Sequence, residues 1–263
     1  MRFRFPFALL FSALLPLFLA WGCASAPVDL TKDWTAQRFY AEGREALAKG
    51  SYTAAIKHFE TLVARYPYGP YAEQAQLEVA YAYYKDEEMA SAIAAADRFI
   101  RQYPTQPNVD YAHYLKGLAS IDEERNFLES FFTDIDLSDR DPKALRAAYD
   151  SFRVLVESFP NSKYAEDARQ RMAYLVNALA MSEIHVARYY FQRGAYVAVV
   201  NRSKEVIERY QRTPAVEEAL GMQAMAYKKM GLEDLMNNTL RVLEQNFPRS
   251  AYLQKVRDLK ADS

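Results

Sequence analysis

The chain has 263 residues, 25% of them charged, with a formal net charge of −1 and a single cysteine. One cysteine excludes both an intrachain disulfide framework and a zinc cluster built from several cysteines. The near-neutral charge lacks the basic excess of nucleic-acid-binding proteins, so we expect no nucleic-acid partner.

The first 22 residues have the order of a secretory signal peptide. Two arginines precede an uncharged apolar stretch from Phe5 to Trp21, and the small residue Gly22 follows. Two prolines interrupt this stretch, whereas a membrane-spanning helix normally has about 20 uninterrupted apolar residues. We therefore predict that residues 1–22 are cleaved off rather than retained as an anchor.

Cys23 comes next, in a context that resembles the lipobox of bacterial lipoproteins. The resemblance implies an S-diacylglyceryl group on the sulfur and an N-palmitoyl group on the amine exposed by cleavage, although Ala20 and Trp21 depart from the usual motif. Several acyl chains hold a protein on a membrane durably. Ala24 stands where an aspartate would signal inner-membrane retention, so the resemblance favours the outer membrane. Residues 23–33 are predicted to be a lipidated tether.

The remainder is predicted to be all-α. Glycine is rare, and apolar residues recur at three- and four-residue steps. The segment GSYTAAIKHFETLVARYP, from Gly50 to Pro67, has the spacing of the second helix of a tetratricopeptide repeat. In such a helix Ala55 permits close helix approach, while Phe59 and Leu62 fill the interface between the paired helices.

Four further copies of this helix follow. Their core positions are predicted to be Ala92, Ala96 and Phe99; Ala148, Phe152 and Leu155; Val199, Ser203 and Val206; and Met236, Leu240 and Leu243. The fourth copy has Gln211 in place of the terminal proline. The pattern predicts an α-solenoid of five tetratricopeptide-like helix pairs.

The same pattern sets the predicted domain boundaries. An N-terminal half, residues 34–128, holds repeats 1 and 2 and the first helix of repeat 3. An acidic insertion at 129–141, ESFFTDIDLSDRD, separates it from a C-terminal half at 142–263, which holds the second helix of repeat 3 and repeats 4 and 5.

No catalytic motif accompanies the repeats. The glycine spacings fit no dinucleotide loop, phosphate-binding loop or nucleophile elbow, and the three histidines are far apart in sequence. We therefore expect no enzyme activity, no cofactor and no metal site. A repeat scaffold indicates binding without naming the ligand.

Two candidate binding surfaces follow from the distribution of tyrosine and arginine. In the first half, Tyr68, Arg65, Arg98 and Tyr111 are candidates for a groove that accepts an extended peptide with aromatic side chains and a terminal carboxylate. The alternative is that most of these tyrosines fill repeat interfaces. In the second half, the candidates for anchoring a partner domain are Arg188, Arg193, Asn201 and Arg202. A solvated helix face is the alternative there.

Four sequence blocks closely resemble the BamD family, the lipoprotein subunit of the outer-membrane β-barrel assembly (Bam) complex. They are RYPYGPYAEQAQLEVAYAYYK, AADRFIRQYPTQPNVDYAHYLKG, YAEDARQRM and HVARYYFQRGAYVAVVNR. The resemblance implies a lipid-anchored protein on the periplasmic face of the outer membrane, which helps deliver unfolded β-barrel proteins for insertion.

The resemblance also implies partners for the two surfaces. The C-terminal repeats are expected to contact a periplasmic domain of BamA, with Arg202 as the matching arginine of the AVVNR block. The N-terminal repeats are expected to receive the targeting strand of substrates and a segment of a BamC-like lipoprotein, and a BamE-like lipoprotein is a further expected partner. The alternative function is a periplasmic repeat adaptor that coordinates cell-wall synthesis with envelope constriction.

Overall fold

A computed structural model of the chain describes residues 29–129 and 142–260. The predicted signal peptide at 1–22, the lipidation site Cys23 and residues 130–141 of the predicted insertion lie outside the described residues. Residues 29–35 belong to a separate N-terminal unit, and the helices belong to a second unit that begins at Ala36. None of the described helices is both long enough and apolar enough to cross a membrane.

The described part of the second unit contains eleven α-helices. They are α1 (Ala36–Ala48), α2 (Tyr52–Arg65), α3 (Pro70–Lys85), α4 (Met89–Gln102), α5 (Val109–Glu129), α6 (Pro142–Ser158), α7 (Ala165–Gln192), α8 (Tyr196–Arg209), α9 (Ala215–Lys229), α10 (Glu233–Asn246) and α11 (Ala251–Asp258). From α1 to α10 each helix packs against the next in chain order, and α1 with α3, α3 with α5 and α7 with α9 also make contact. This is the packing of stacked helix pairs, and it confirms the predicted all-α, tetratricopeptide-like solenoid.

The predicted core positions of the first four repeats are buried. Ala55, Phe59 and Leu62 are fully buried in α2, and so are their counterparts in α4, α6 and α8. Gly43 explains how closely α1 approaches α2, since a Cβ atom there would lie 2.6 Å from Cε1 of Phe59. Gly117 in α5 has the same relation to Phe152 of α6, at 2.6 Å. The repeat in the sequence is therefore also a repeat of helix packing.

The last repeat departs from the predicted pattern. Leu243 is fully buried, but Met236 and Leu240 are only partly buried, while Thr239 is buried. After α10 the described residues form the short α11, which packs mainly on α9. The sequence analysis did not predict α11. Its Tyr252 occupies the space that a side chain at Gly221 of α9 would need.

The fourth repeat turns normally although it lacks the terminal proline. Helix α8 ends at Arg209, and the Gln211 side chain donates a hydrogen bond to the carbonyl of Glu208 at 3.3 Å. The hydroxyl of Thr213 donates to the carbonyl of Tyr210 at 2.8 Å. Side-chain hydrogen bonds thus satisfy the carbonyls at the helix end, where the other repeats rely on proline to stop the helix.

Candidate binding surfaces

Arg202 lies on the exposed side of α8 and is held by a buried carboxylate of α7. Its Nη1 donates to Oε2 of Glu183 at 2.9 Å. The Glu183 side chain is only 10% exposed, against 45% for Arg202. This hydrogen bond raises the pKa of Arg202 above its ordinary value. Arg146 of α6 approaches the same carboxylate at 3.9 Å. The Arg202 guanidinium is therefore fixed in orientation while about half of its surface stays open.

The other two predicted arginines of this surface have partners within the chain. Arg188 makes a bidentate pair with Glu218 of α9, with both N–O distances at 2.6 Å. Burial alone would raise the pKa of Glu218, but hydrogen bonds from Arg188 and Tyr252 hold it below its ordinary value. Arg193 lies over the ring of Tyr189, 4.9 Å from the centroid. Of the three arginines, Arg188 is the most fully engaged by the fold itself.

Asn201 separates two pockets of different character. On one side an open pocket of about 540 Å³ is lined mainly by apolar residues at the start of α8 and by Met230 at the end of α9. On the other side a polar pocket of about 440 Å³ contains Arg202 and Glu183. Val197, in the apolar pocket, is 66% exposed. The sequence analysis missed these apolar residues because an exposed valine has no distinctive sequence context.

The four residues predicted for the N-terminal groove lie on different elements. Arg65, at the end of α2, lies 5.2 Å from the centroid of the Phe39 ring of α1. Tyr68 is 91% exposed in the turn between α2 and α3, and Arg98 is exposed on α4. Tyr111 is partly buried on α5 against Tyr164, with ring centroids 5.2 Å apart. These positions are spread over α2, the turn after it, α4 and α5, so the groove stays a prediction.

The structure instead brings tyrosines of α1, α3 and α5, and Tyr164 just before α7, into two groups of contacting rings. We call this set the tyrosine row, and it comprises Tyr40, Tyr71, Tyr111, Tyr114 and Tyr164. The rings of Tyr40 and Tyr71 have centroids 5.6 Å apart, and those of Tyr114 and Tyr164 stack at 4.7 Å with an interplanar angle of 19°. Only Tyr111 belongs to both the predicted groove and this row.

Ion pairs accompany the tyrosine row. Arg44 of α1 pairs with Glu78 of α3. Burial is the main cause that raises the pKa of both Tyr40 and Tyr111, and the charge of Glu78 contributes in each case. Glu78 therefore lies close enough to act electrostatically on both Tyr40 and Tyr111.

A second network lies at the Tyr114 end of the row. The Tyr114 hydroxyl donates to Asp167 at 2.7 Å, and Arg171 pairs with the same carboxylate. Burial alone would raise the pKa of Asp167, but these two hydrogen bonds hold it below its ordinary value. The row thus combines aromatic faces, hydroxyl groups and guanidinium groups, which suit an extended peptide.

These surfaces define a class of protein. In the described ranges, no group of three or more His, Cys, Asp and Glu side chains is placed to hold a metal ion. The polar clusters are ion pairs and tyrosine contacts at the surface of stacked helix pairs. The chain is a helical-repeat scaffold with exposed arginine and tyrosine side chains on its surface.

Comparison with known proteins identifies the family. Residues 32–243 match the profile of the YfiO family, described as "Outer membrane lipoprotein". The Neisseria gonorrhoeae protein named "Outer membrane protein assembly factor BamD" is 49% identical over 232 residues, which are 88% of this chain and 86% of that protein. The protein of the same name from Vibrio cholerae is 40% identical over 89% of this chain and 97% of its own length. The chain belongs to this family.

Solved structures add little to this assignment. The crystal structure of the MamA protein covers 87% of this chain and 98% of its own, at 15% sequence identity and a TM-score of 0.39. That likeness is too distant to bear on function. The assignment to the family of outer-membrane lipoproteins rests on the sequence matches, which extend across almost the whole helical unit.

Proposed function

We propose that this chain is a non-enzymatic assembly factor for outer-membrane β-barrel proteins and a subunit of the Bam complex. The observation that carries the proposal is the 49% identity, across 88% of the chain, to a protein named as an outer membrane protein assembly factor. Surface ion pairs and aromatic contacts on a repeat scaffold support a binding role. The names of the relatives do not favour the alternative of a cell-wall adaptor.

In this proposal a cleaved signal peptide at 1–22 leaves Cys23 lipidated, and the tether at 23–33 joins the anchor to the helices. The anchor holds the protein on the periplasmic face of the outer membrane. The halves at 34–128 and 142–263 then serve as separate binding regions on either side of the insertion at 129–141. This division follows from the repeat pattern in the sequence.

The C-terminal half is proposed to bind a periplasmic domain of BamA. Its anchors are Arg202, with Asn201 and Arg193 beside it, and the family resemblance of the AVVNR block supports this choice. A fixed, half-open guanidinium next to an exposed apolar pocket fits the usual plan of an interface, in which an apolar centre is flanked by charged hot spots. Arg188 is expected to contribute less, because Glu218 already occupies both arms of its fork.

The N-terminal half is proposed to receive unfolded β-barrel substrates and BamC-like lipoproteins. The tyrosine row supports this proposal better than the predicted groove does, since its rings contact one another in two groups, Tyr40 with Tyr71, and Tyr164 with Tyr111 and Tyr114. Tyr111 belongs to both sets, and Arg65, Tyr68 and Arg98 remain candidates at the edge. A BamE-like lipoprotein is a further proposed partner of the complex.

The test is affinity purification of the tagged chain from envelopes solubilised in mild detergent, with partners identified by mass. We expect BamA to co-purify with the wild type and to be reduced several-fold in Arg202→Gln. Glutamine is preferable to glutamate here, because a glutamate would place a second carboxylate against Glu183.

Arg169→Gln is the matched control, since the Arg169 side chain is also 45% exposed and also pairs with a glutamate, here Glu166 of the same helix at 3.1 Å. Its recovery of BamA is expected to equal that of the wild type. If the wild-type chain recovers no BamA, the proposed function is wrong. If both variants recover BamA equally, Arg202 is not an anchor.

A further inference from the structure

Helix α7 is long enough to separate the helices that pack on it. Its 28 residues extend roughly 42 Å at 1.5 Å per residue. Leu145 and Leu155 of α6 pack in the core cluster of residues 165–179 of α7, whereas Val199 and Val206 of α8 pack with residues 180–187. The end of α8 therefore meets the beginning of α6 near the middle of α7.

A cleft of about 600 Å³ lies at this meeting point. Its apolar lining comes from Val176 and Leu179 of α7, together with Tyr149 of α6 and Tyr210 after α8. Tyr210 packs against the core clusters of both repeats, so the floor of the cleft is part of the fold rather than a chance gap between side chains.

Three arginines and one acid supply the charges of the cleft. They are Arg146 from α6, Arg209 at the end of α8, Arg212 in the turn that follows, and Glu208. The lining thus carries a net charge of +2.

Much of the hydrogen-bonding capacity of these arginines is unused. Arg212 is exposed and makes no ion pair with any other described residue. Among the described residues, Arg146 has the 3.9 Å approach to Glu183, whose carboxylate already accepts the 2.9 Å bond from Arg202. Arg209 pairs with Glu205 at 3.0 Å through Nε, and its side chain is 69% exposed. A guanidinium has five N–H donors, so each of the three can bind a further carboxylate oxygen.

We propose that the cleft between α6 and α8 binds an extended acidic segment of a partner protein. Carboxylates of the segment pair with Arg146, Arg209 and Arg212, and an apolar side chain between them packs on Val176 and Leu179. The apolar floor and the presence of Glu208 favour a segment of spaced single charges over a compact phosphate group. The cleft adjoins the proposed BamA anchor, because Arg146 and Arg209 also line the polar pocket that holds Arg202. Binding of the acidic segment does not depend on the proposed function.

The test is calorimetric titration of the purified full-length chain in mild detergent with two capped peptides. One is Gly-Glu-Asp-Leu-Glu-Asp-Gly, and the other has glutamine and asparagine in place of the acids. We expect the acidic peptide to bind at least about tenfold more tightly than its amide counterpart, since the charge-assisted bonds are lost in the latter. The difference should shrink as salt is raised.

Arg212→Gln and Arg146→Gln should each weaken binding of the acidic peptide by up to about fivefold, the effect of one solvent-exposed ion pair. Arg169→Gln should leave binding unchanged, because Arg169 lies near the start of α7 and does not line the cleft. Arg212 has no partner to lose among the described residues, so its variant should remain folded, as circular dichroism will show.

Three results would overturn the proposal. One is equal binding of the two peptides, or no binding by either below about 1 mM. Another is unchanged binding in both cleft variants. The third is displacement of the peptide by inorganic phosphate more effectively than by chloride at equal ionic strength, which would assign the cleft to a phosphate-bearing ligand.

Discussion

Arg202 has two separable roles, one in stability and one in partner binding. Arg202→Gln removes the guanidinium that holds Glu183, leaving that carboxylate with Arg146 at 3.9 Å as its remaining cation among the described residues. Breaking a fully buried pair costs about 3–5 kcal/mol, whereas exposed pairs contribute about 0–1 kcal/mol. Here the acid is nearly buried and the base is half exposed. We therefore expect the free energy of unfolding to fall by about 1–2 kcal/mol.

Adding Glu183→Gln should restore most of this loss, because a neutral amide at that position no longer needs a cation. The double variant should lie within about 0.5 kcal/mol of Glu183→Gln alone. Urea denaturation followed by helical circular dichroism measures all four members of the cycle, and the midpoints are compared at a common slope.

Partner binding should behave differently from stability in the same variants. The double variant should be stable and yet recover as little BamA as Arg202→Gln, because the exposed guanidinium is absent from both. Recovery of BamA by the double variant would show that Arg202 acts only through stability. An unchanged unfolding midpoint in Arg202→Gln would refute the claim that the pair with Glu183 stabilises the fold.

Three further predictions concern the fold. Gly117→Ala should lower the free energy of unfolding by about 1–3 kcal/mol, because its methyl group would lie 2.6 Å from the Phe152 ring. Adding Phe152→Leu should relieve part of that loss in a thermal melt. If the losses of the two substitutions simply add, the contact is contradicted. Burial, with the hydrogen bond to Glu60, raises the pKa of Tyr83 to about 12, so its contribution to stability is complete below pH 10 and lost as the pH rises to about 12. In an ultraviolet pH titration, Tyr83→Phe should lack one tyrosine that ionises near pH 12 in the wild type. If the missing tyrosine is instead one that ionises near pH 10, the prediction is wrong. Lys228→Met should speed amide hydrogen exchange in α11 by about fivefold, because Lys228 Nζ donates to the carbonyls of Val256 and Arg257 at 2.6 and 2.9 Å. Mass spectrometry measures this exchange. An unchanged rate would show that these bonds do not hold α11 in place.

The repeated core could be predicted from the sequence because its signals agree with one another. Ala55, Phe59 and Leu62 recur at one spacing in several copies, and each is buried by the neighbouring helix of the same pair. The pattern weakened at the last pair, where Met236 and Leu240 are only partly buried and Thr239 is buried. Helix α11 is only eight residues long, which is too short for a clear helical period.

The surfaces could be predicted only in part, because their geometry depends on contacts between distant segments. Arg188 is predicted as an anchor from its residue type and position, but its pair with Glu218, thirty residues away, could not be predicted from the sequence. Tyr164 had no special signal in the sequence, yet it stacks on Tyr114 and contacts Tyr111. Residue type and spacing made tyrosines and arginines of the first half candidates for binding. Which of these side chains contact one another depends on how the helix pairs pack.

The central claim is that this chain serves the assembly of outer-membrane β-barrels. The most direct measurement is depletion of the chain in its own cells, followed by quantification of folded β-barrel proteins in the outer membrane through their heat-modifiable mobility in gels. We predict that the folded fraction falls on depletion and that the wild-type chain restores it. A normal level of folded β-barrels in depleted cells, together with a defect in envelope constriction, would contradict the claim and support the cell-wall adaptor instead.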